Sequence, residues 1–115
     1  MAGRLTTHVL DVSAGKPAAG MALTLRRTGE PIPLAERVTN EDGRVDGALL
    51  DEATFRPGRY ELEFHVAAYF RAGGTMLPEP PFLDVVVIRF GLAEDSHYHV
   101  PLLVSPFAYS TYRGS

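Results

Sequence analysis

Apolar and polar residues alternate along this chain in short stretches. Nine prolines and eleven glycines interrupt the pattern at close intervals, leaving runs too short for long helices but right for strands. Residues 5–12 predict a first strand, closed by Ser13, Ala14, Gly15, Lys16 and Pro17; residues 22–27 predict a second, with Ala22, Thr24 and Arg26 in alternation. A short third strand is expected over 35–39. Asn40, Glu41, Asp42 and Gly43 then make a turn in which Gly43 can take positive φ at little steric cost, so that Arg44 leaves at its exit. Further strands are expected at 59–65, at the β-branched run 83–90, and at 97–104 and 108–112, the last two separated by Ser105 and Pro106. Residues 66–72 lack alternation and hold Ala67, Ala68 and Ala72, which predicts one or two helical turns stopped by Gly73 and Gly74. The expected fold is all-β: a two-sheet β-sandwich of about eight strands with one short helix.

Two strands depart from the rule that a half-buried strand keeps one face polar. At 5–12, Leu5, Thr7 and Val9 fall on one side and Thr6, His8 and Leu10 on the other; at 97–104, Tyr98, Val100 and Leu102 oppose His97, His99, Pro101 and Leu103. Both sides carry apolar groups. A small sandwich covers only its inner faces, so a second subunit is expected over the outer one, with a histidine of each strand set into the interface.

Composition narrows the function classes. The 115 residues suit a single domain, 1–115, large enough to bury a sandwich core unaided. With 11 Lys+Arg against 14 Asp+Glu and no dense basic cluster, neither nucleic acid nor a membrane surface is an expected partner. The absence of cysteine excludes disulfides, thiolate metal sites and a Cys nucleophile, and fits a reducing compartment. No apolar run approaches the roughly 20 residues of a membrane span, and the start does not read as a secretion leader. A cytoplasmic location is expected, or a periplasmic one if a leader has been removed.

The segments Leu5-Thr6-Thr7-His8-Val9-Leu10-Asp11, Thr39-Asn40-Glu41-Asp42-Gly43-Arg44 and His97-Tyr98-His99-Val100-Pro101-Leu102-Leu103 resemble the transthyretin-like 5-hydroxyisourate hydrolases in identity, order and spacing. Tyr109-Ser110-Thr111-Tyr112-Arg113-Gly114-Ser115 completes the set. Its closing Tyr-Arg-Gly-Ser resembles the hydrolase signature, whereas hormone-carrying transthyretins share the scaffold without it. The resemblance covers essentially the whole chain; the segment from Met76 to Phe82 departs from relatives, which more often place aromatic residues before the proline. It implies an eight-stranded sandwich paired edge to edge into dimers, two of which stack face to face as a homotetramer with active sites in the channel between them. The implied substrate is 5-hydroxyisourate, the bicyclic product of urate oxidation. Its six-membered ring opens to 2-oxo-4-hydroxy-4-carboxy-5-ureidoimidazoline, and the family needs no metal or cofactor.

Opening an amide-like ring bond with water requires a base for the water proton, a donor for developing oxygen charge and a proton for the departing nitrogen. His8 and His99 suit the proton steps, because an unperturbed imidazole pKa near about 6.5 leaves a neutral fraction at neutral pH. Arg44 offers a planar, permanently charged fork for ring carbonyl oxygens. Tyr112 offers a ring wall and a phenol to the substrate, and Ser115 a hydroxyl or backbone group beside the terminal carboxylate. Neither is expected to be a nucleophile: no acidic residue completes a Ser-His-Asp arrangement, Asp11 lies on the strand face opposite His8, and attack by an activated water is simpler. Taken alone, these residues have plainer readings. A histidine at an apolar interface is more often structural, Arg44 a solvated turn residue, Tyr109 and Tyr112 packed strand residues, and 113–115 a frayed tail.

Two alternatives differ in chemistry. His97 and His99 at i, i+2, with His8 as a third ligand, would start a zinc site; the metal-free reading is favoured, since the family hydrolyses without metal and His97 follows Glu94, Asp95 and Ser96 where solvent is expected. A carrier of aromatic small molecules would use the same channel. Tyr112 and Arg113 would narrow it, and an apolar ligand would leave histidine and arginine groups unpaired.

Overall fold

Among residues 3–114, which the computed structural model describes, the chain forms eight strands and one helix. Their order is β1 (Arg4–Asp11), β2 (Lys16–Pro17), β3 (Ala22–Arg27), β4 (Ala35–Val38), β5 (Gly58–Phe64), α1 (Val66–Ala72), β6 (Val86–Leu92), β7 (His97–Val104) and β8 (Tyr109–Thr111). Two four-stranded sheets result, β2-β1-β7-β8 and β4-β3-β5-β6, as expected of a sandwich. Alternation explains the core. Leu5 and Val9 of β1 and Tyr98, Val100, Leu102 and Val104 of β7 are buried in one cluster with Leu23, Leu25, Tyr60, Leu62, Phe64 and Ile88 of the second sheet. Helix α1 adds Val66 and Phe70 to it. Full burial of such a side chain contributes about 1.5–3 kcal/mol. No helix among the described residues is long and apolar enough to cross a membrane.

The central strands of the first sheet, β1 and β7, run parallel, which their separation by the whole second sheet permits. Thr6 stands opposite His99 and His8 opposite Pro101. The buried Thr7 hydroxyl donates to the Val100 carbonyl at 2.7 Å, so it joins the two strands without an unpaired polar atom. Strand β2 covers only the Leu10 and Asp11 end of β1. Residues 43–50 lie along the rest of that edge: Val9 N–H donates to the Gly43 carbonyl at 2.8 Å and Leu49 N–H to the Leu5 carbonyl at 2.8 Å. On the far side the tail follows β7 beyond β8, with Gly114 N–H donating to the His99 carbonyl at 2.7 Å.

Three local expectations change. Residues 13–17, expected as a turn, include β2, because Gly15 takes φ +69° and its N–H reaches the Asp11 carbonyl at 2.9 Å, closing a tight hairpin. The strand expected at 83–90 begins at Val86, since the Ala67 amide of α1 ties up the Asp84 carbonyl, and it runs on to Leu92 opposite Gly58. Tyr109, on the edge strand β8, and Tyr112, just beyond it, whose plainer reading is as packed strand residues, are 47% and 60% exposed, because the described residues leave that edge of the sheet largely open. The outer face of β1 and β7 is half-buried at Thr6, His8, Leu10, His99 and Leu103, and buried at Pro101.

Asp11 secures the β1–β2 hairpin. Its carboxylate accepts from the Ser13 hydroxyl at 2.6 Å, the Ser13 and Ala14 amides at 3.1 Å and the Tyr69 phenol at 2.9 Å. Burial alone would raise its pKa; the bonds from Ser13, Tyr69 and the amides outweigh burial and hold it below the usual carboxylate value. Burial and this same bond push the Tyr69 phenol up to about 12. A carboxylate depressed in the folded state stabilises the fold above its unfolded pKa of about 3.9, and that contribution disappears as pH falls through the lower folded value. Asp11→Asn is therefore expected to cost about 1–3 kcal/mol at pH 7 in urea unfolding, with a gap to wild type that narrows under strongly acidic conditions. An equal gap at both pH values would contradict the assignment.

Candidate active site

The turn after β4 builds one wall. The Asn40 side-chain oxygen accepts from the Asp42 amide at 2.9 Å and the Arg44 amide at 3.1 Å, while Gly43, at φ +76°, reverses the chain. As expected from sequence, Gly43 is the positive-φ residue and Arg44 emerges beyond it. A side chain at Gly43 would also collide with the Val9 carbonyl. Arg44 thereby bridges to the backbone of His8, and the Asp42 carbonyl comes to His8. The His8 Nε2–H donates to that carbonyl at 2.8 Å; since a carbonyl only accepts, the neutral ring has its lone pair on Nδ1.

His99 lies on the neighbouring strand, its ring centroid 6.4 Å from that of His8. Its Nδ1 is 2.8 Å from the Thr6 hydroxyl, which is also 3.0 Å from Nε2 of His97. Burial first, then the positive charge of Arg44 and the nearby His8 and His97, lower the His99 pKa below the ordinary imidazole value. The ring is thus held toward the neutral form, which can take a proton. The tail packs against it: a β-carbon on Gly114 would lie 2.9 Å from His99 Cδ2. Arg113 anchors the tail, with its guanidinium 4.0 Å over the Tyr98 ring and an N–H donated to the His97 carbonyl at 3.3 Å.

A cavity of about 410 Å3 lies here, walled by Arg4, Thr6, Arg44, His97 and His99 among others. His8 stands beside it rather than in its wall. Among the described residues Arg44 has no acidic partner at salt-bridge distance, which leaves its fork available. Tyr112 is exposed and does not line the cavity, and Ser115 lies outside the described residues. Among the described residues no group of three His, Asp or Glu side chains has metal-ligand spacing; His97 and His99 converge on the Thr6 hydroxyl. A larger cleft of about 770 Å3, between the β1–β2 hairpin and α1, contains neither imidazole nor arginine.

The family model described as "HIUase/Transthyretin family" matches residues 5–114. The chain belongs to this family. The HIUase/Transthyretin relatives include a 5-hydroxyisourate hydrolase of Mesorhizobium japonicum, 60% identical over 98% of this chain and 93% of the relative. A second, 5-hydroxyisourate hydrolase 2 of Rhizobium meliloti, is 58% identical over 98% and 97%. Among solved structures, a chain of (S)-allantoin synthase superimposes with TM-score 0.94 at 47% identity, covering 99% of this chain and 44% of its own. Klebsiella pneumoniae 5-hydroxyisourate hydrolase superimposes with TM-score 0.83 at 39% identity over 98% and 99%. Sea bream transthyretin in complex with thyroxine gives 0.85 at 31% identity over 96% and 94%.

Within this HIUase/Transthyretin fold, Arg44 and His99 share the cavity wall and His8 stands beside it, bridged to Arg44 by backbone and 6.4 Å from the His99 ring. Thr6, the Asp42 carbonyl and Gly114 were not anticipated. Thr6 shares a strand face with His8, but its place beside His99 requires the β1–β7 register; Gly114 was visible only as part of the tail motif. Gly114→Ala is expected to displace the His99 ring, with a shift of its imidazole 1H–15N signals, unchanged His65 signals and a stability loss of about 1 kcal/mol. An unmoved His99 signal would show that the tail does not bear on the ring.

Proposed function

We propose that this chain opens 5-hydroxyisourate by attack of water, with His8, His99 and Arg44 as catalytic residues. One observation carries the reading: two imidazoles from adjacent strands, one with its hydrogen committed to a carbonyl and the other held toward neutrality, face an arginine without an acidic partner among the described residues. The full-length likeness to hydrolases of that name supports it. His99 takes a proton from water at Nε2, the nitrogen not engaged by Thr6. The water oxygen attacks the ring carbonyl carbon, and Arg44 holds the charge that gathers on the carbonyl oxygen. His8 accepts a hydrogen bond at Nδ1 and orients the water. The carbon–nitrogen bond then breaks, and the nitrogen takes a proton from His99. No metal or cofactor enters these steps.

The assembly is a homotetramer, a dimer of dimers. The half-buried outer face holding His8, Leu10, His99 and Leu103 supports a stacked interface. Tyr112 lines the channel this creates. The likeness to thyroxine-bound sea bream transthyretin favours a second reading, a carrier of aromatic ligands. Polar His and Arg groups would be left without partners by such a ligand, so it ranks below the hydrolase.

His8→Asn removes the nitrogen that orients the water and is expected to lower turnover by about 10²-fold, the usual cost of misplacing a reacting group, while thermal unfolding and oligomer size hold. Arg44→Lys keeps the charge and loses the fork, so activity should fall despite the conservative change. Steady-state turnover corrected for spontaneous decay, with light scattering on each variant, makes the test. Wild-type turnover in both variants would defeat the assignment, and loss of turnover only with loss of the tetramer would make these residues interface residues.

A further inference from the structure

We propose that Thr6 and His97 are positioning residues forming a proton relay for His99, which parks the proton taken from water on His97 while the ring opens. The proposal rests on His99 being the base. Its geometry is a single hydroxyl between two imidazoles: Thr6 Oγ1 lies 2.8 Å from His99 Nδ1 and 3.0 Å from His97 Nε2. The hydroxyl has one hydrogen, so a continuous chain forms only when one ring donates to it and it donates to the other. The two tautomers are linked through Thr6.

Only one polarity leaves His99 able to act. With hydrogen on His99 Nδ1 donated to Thr6, and the Thr6 hydrogen donated to His97 Nε2, the Nε2 lone pair of His99 is free. When water gives its proton to Nε2, the Nδ1 hydrogen moves to Thr6 Oγ1 and the original Thr6 hydrogen moves to His97 Nε2. His99 is again neutral, now with hydrogen on Nε2, and His97 carries the charge. Breaking the carbon–nitrogen bond draws the Nε2 hydrogen onto the departing nitrogen. The hydrogens on His97 and Thr6 then step back, and the starting state returns with no proton gained or lost by the protein.

The surroundings favour parking the charge on His97. His99 is half-buried, with Arg44 and His8 near, whereas His97 is exposed and its charge can be met by solvent. Arg4 shares the cavity wall and sits opposite His97 in the β1–β7 ladder, and Arg113 reaches only the His97 carbonyl. These groups oppose a cation on either ring, but Arg44 and burial bear on His99. The relay thus spares the pocket a second fixed positive charge beside Arg44.

Imidazole 15N shifts of the wild-type chain read the tautomers directly: His99 and His97 should both carry their neutral-state hydrogen on Nδ1. Thr6→Val should lower kcat by about 10-fold, below the roughly 10²-fold or more of direct acid–base catalysis, with KM within about 2-fold. Thr6→Ser should restore it. His97→Gln should lose as much as Thr6→Val, and the double variant no more than either, because both interrupt one chain. Undiminished kcat in Thr6→Val, failure of serine to rescue, or additive losses would each overturn the relay. Linked tautomers in a wild-type chain that leaves 5-hydroxyisourate untouched would overturn the substrate reading and sustain the relay's geometry; a His99 hydrogen on Nε2 would overturn the relay whatever the activity.

Discussion

In-register parallel pairing of β1 with β7 puts Thr6 beside His99 and brings His8 within one ring's reach of it. The core enforces this register. Leu5 and Val9 point inward with Tyr98, Val100 and Leu102, and a slip of one residue would turn them outward and carry Thr6 and His8 into the apolar layer. Each such side chain contributes about 1.5–3 kcal/mol on burial, so the stability of the sandwich and the spacing of its imidazoles have one cause. The outer face can carry polar chemistry because the inner face alone secures the fold.

Two segments outside the longer strands complete the arrangement along the flanks of that strand pair. On the β1 side, the Asn40 turn uses one side-chain oxygen to hold two amides, and so supplies both the Arg44 position and the carbonyl that sets the His8 tautomer. On the β7 side, Arg113 stacks on Tyr98 and Gly114 meets the face of His99. Both flanks depend on a glycine for different reasons: Gly43 for its positive φ beneath Val9, Gly114 for the space the His99 ring occupies.

Much of this was legible in the sequence. The alternation separated inner from outer faces of β1 and β7, the alanines of 66–72 marked α1 to the residue, and the Asp42-Gly43 pair marked the turn that releases Arg44. Features that depend on pairing partners were not. Strand β2 has two residues and no periodicity to read, β6 gives up its first residues to a bond with α1, and Thr6 is an ordinary strand threonine until β7 is laid beside it. Tyr112 could not be placed from its type either, because it follows the edge strand β8 with no ladder partner of its own and its exposure is not set by local pattern.

The proposed chemistry is modest in its parts: a neutral imidazole to take a proton, a second with its lone pair defined, and a guanidinium to hold oxygen charge. The fold's contribution is to have these oriented before substrate arrives. The most direct test of the account adds the wild-type chain to freshly generated 5-hydroxyisourate and follows the substrate's absorbance against its spontaneous decay. The account predicts decay accelerated in proportion to protein concentration; a decay rate indifferent to the protein would contradict it.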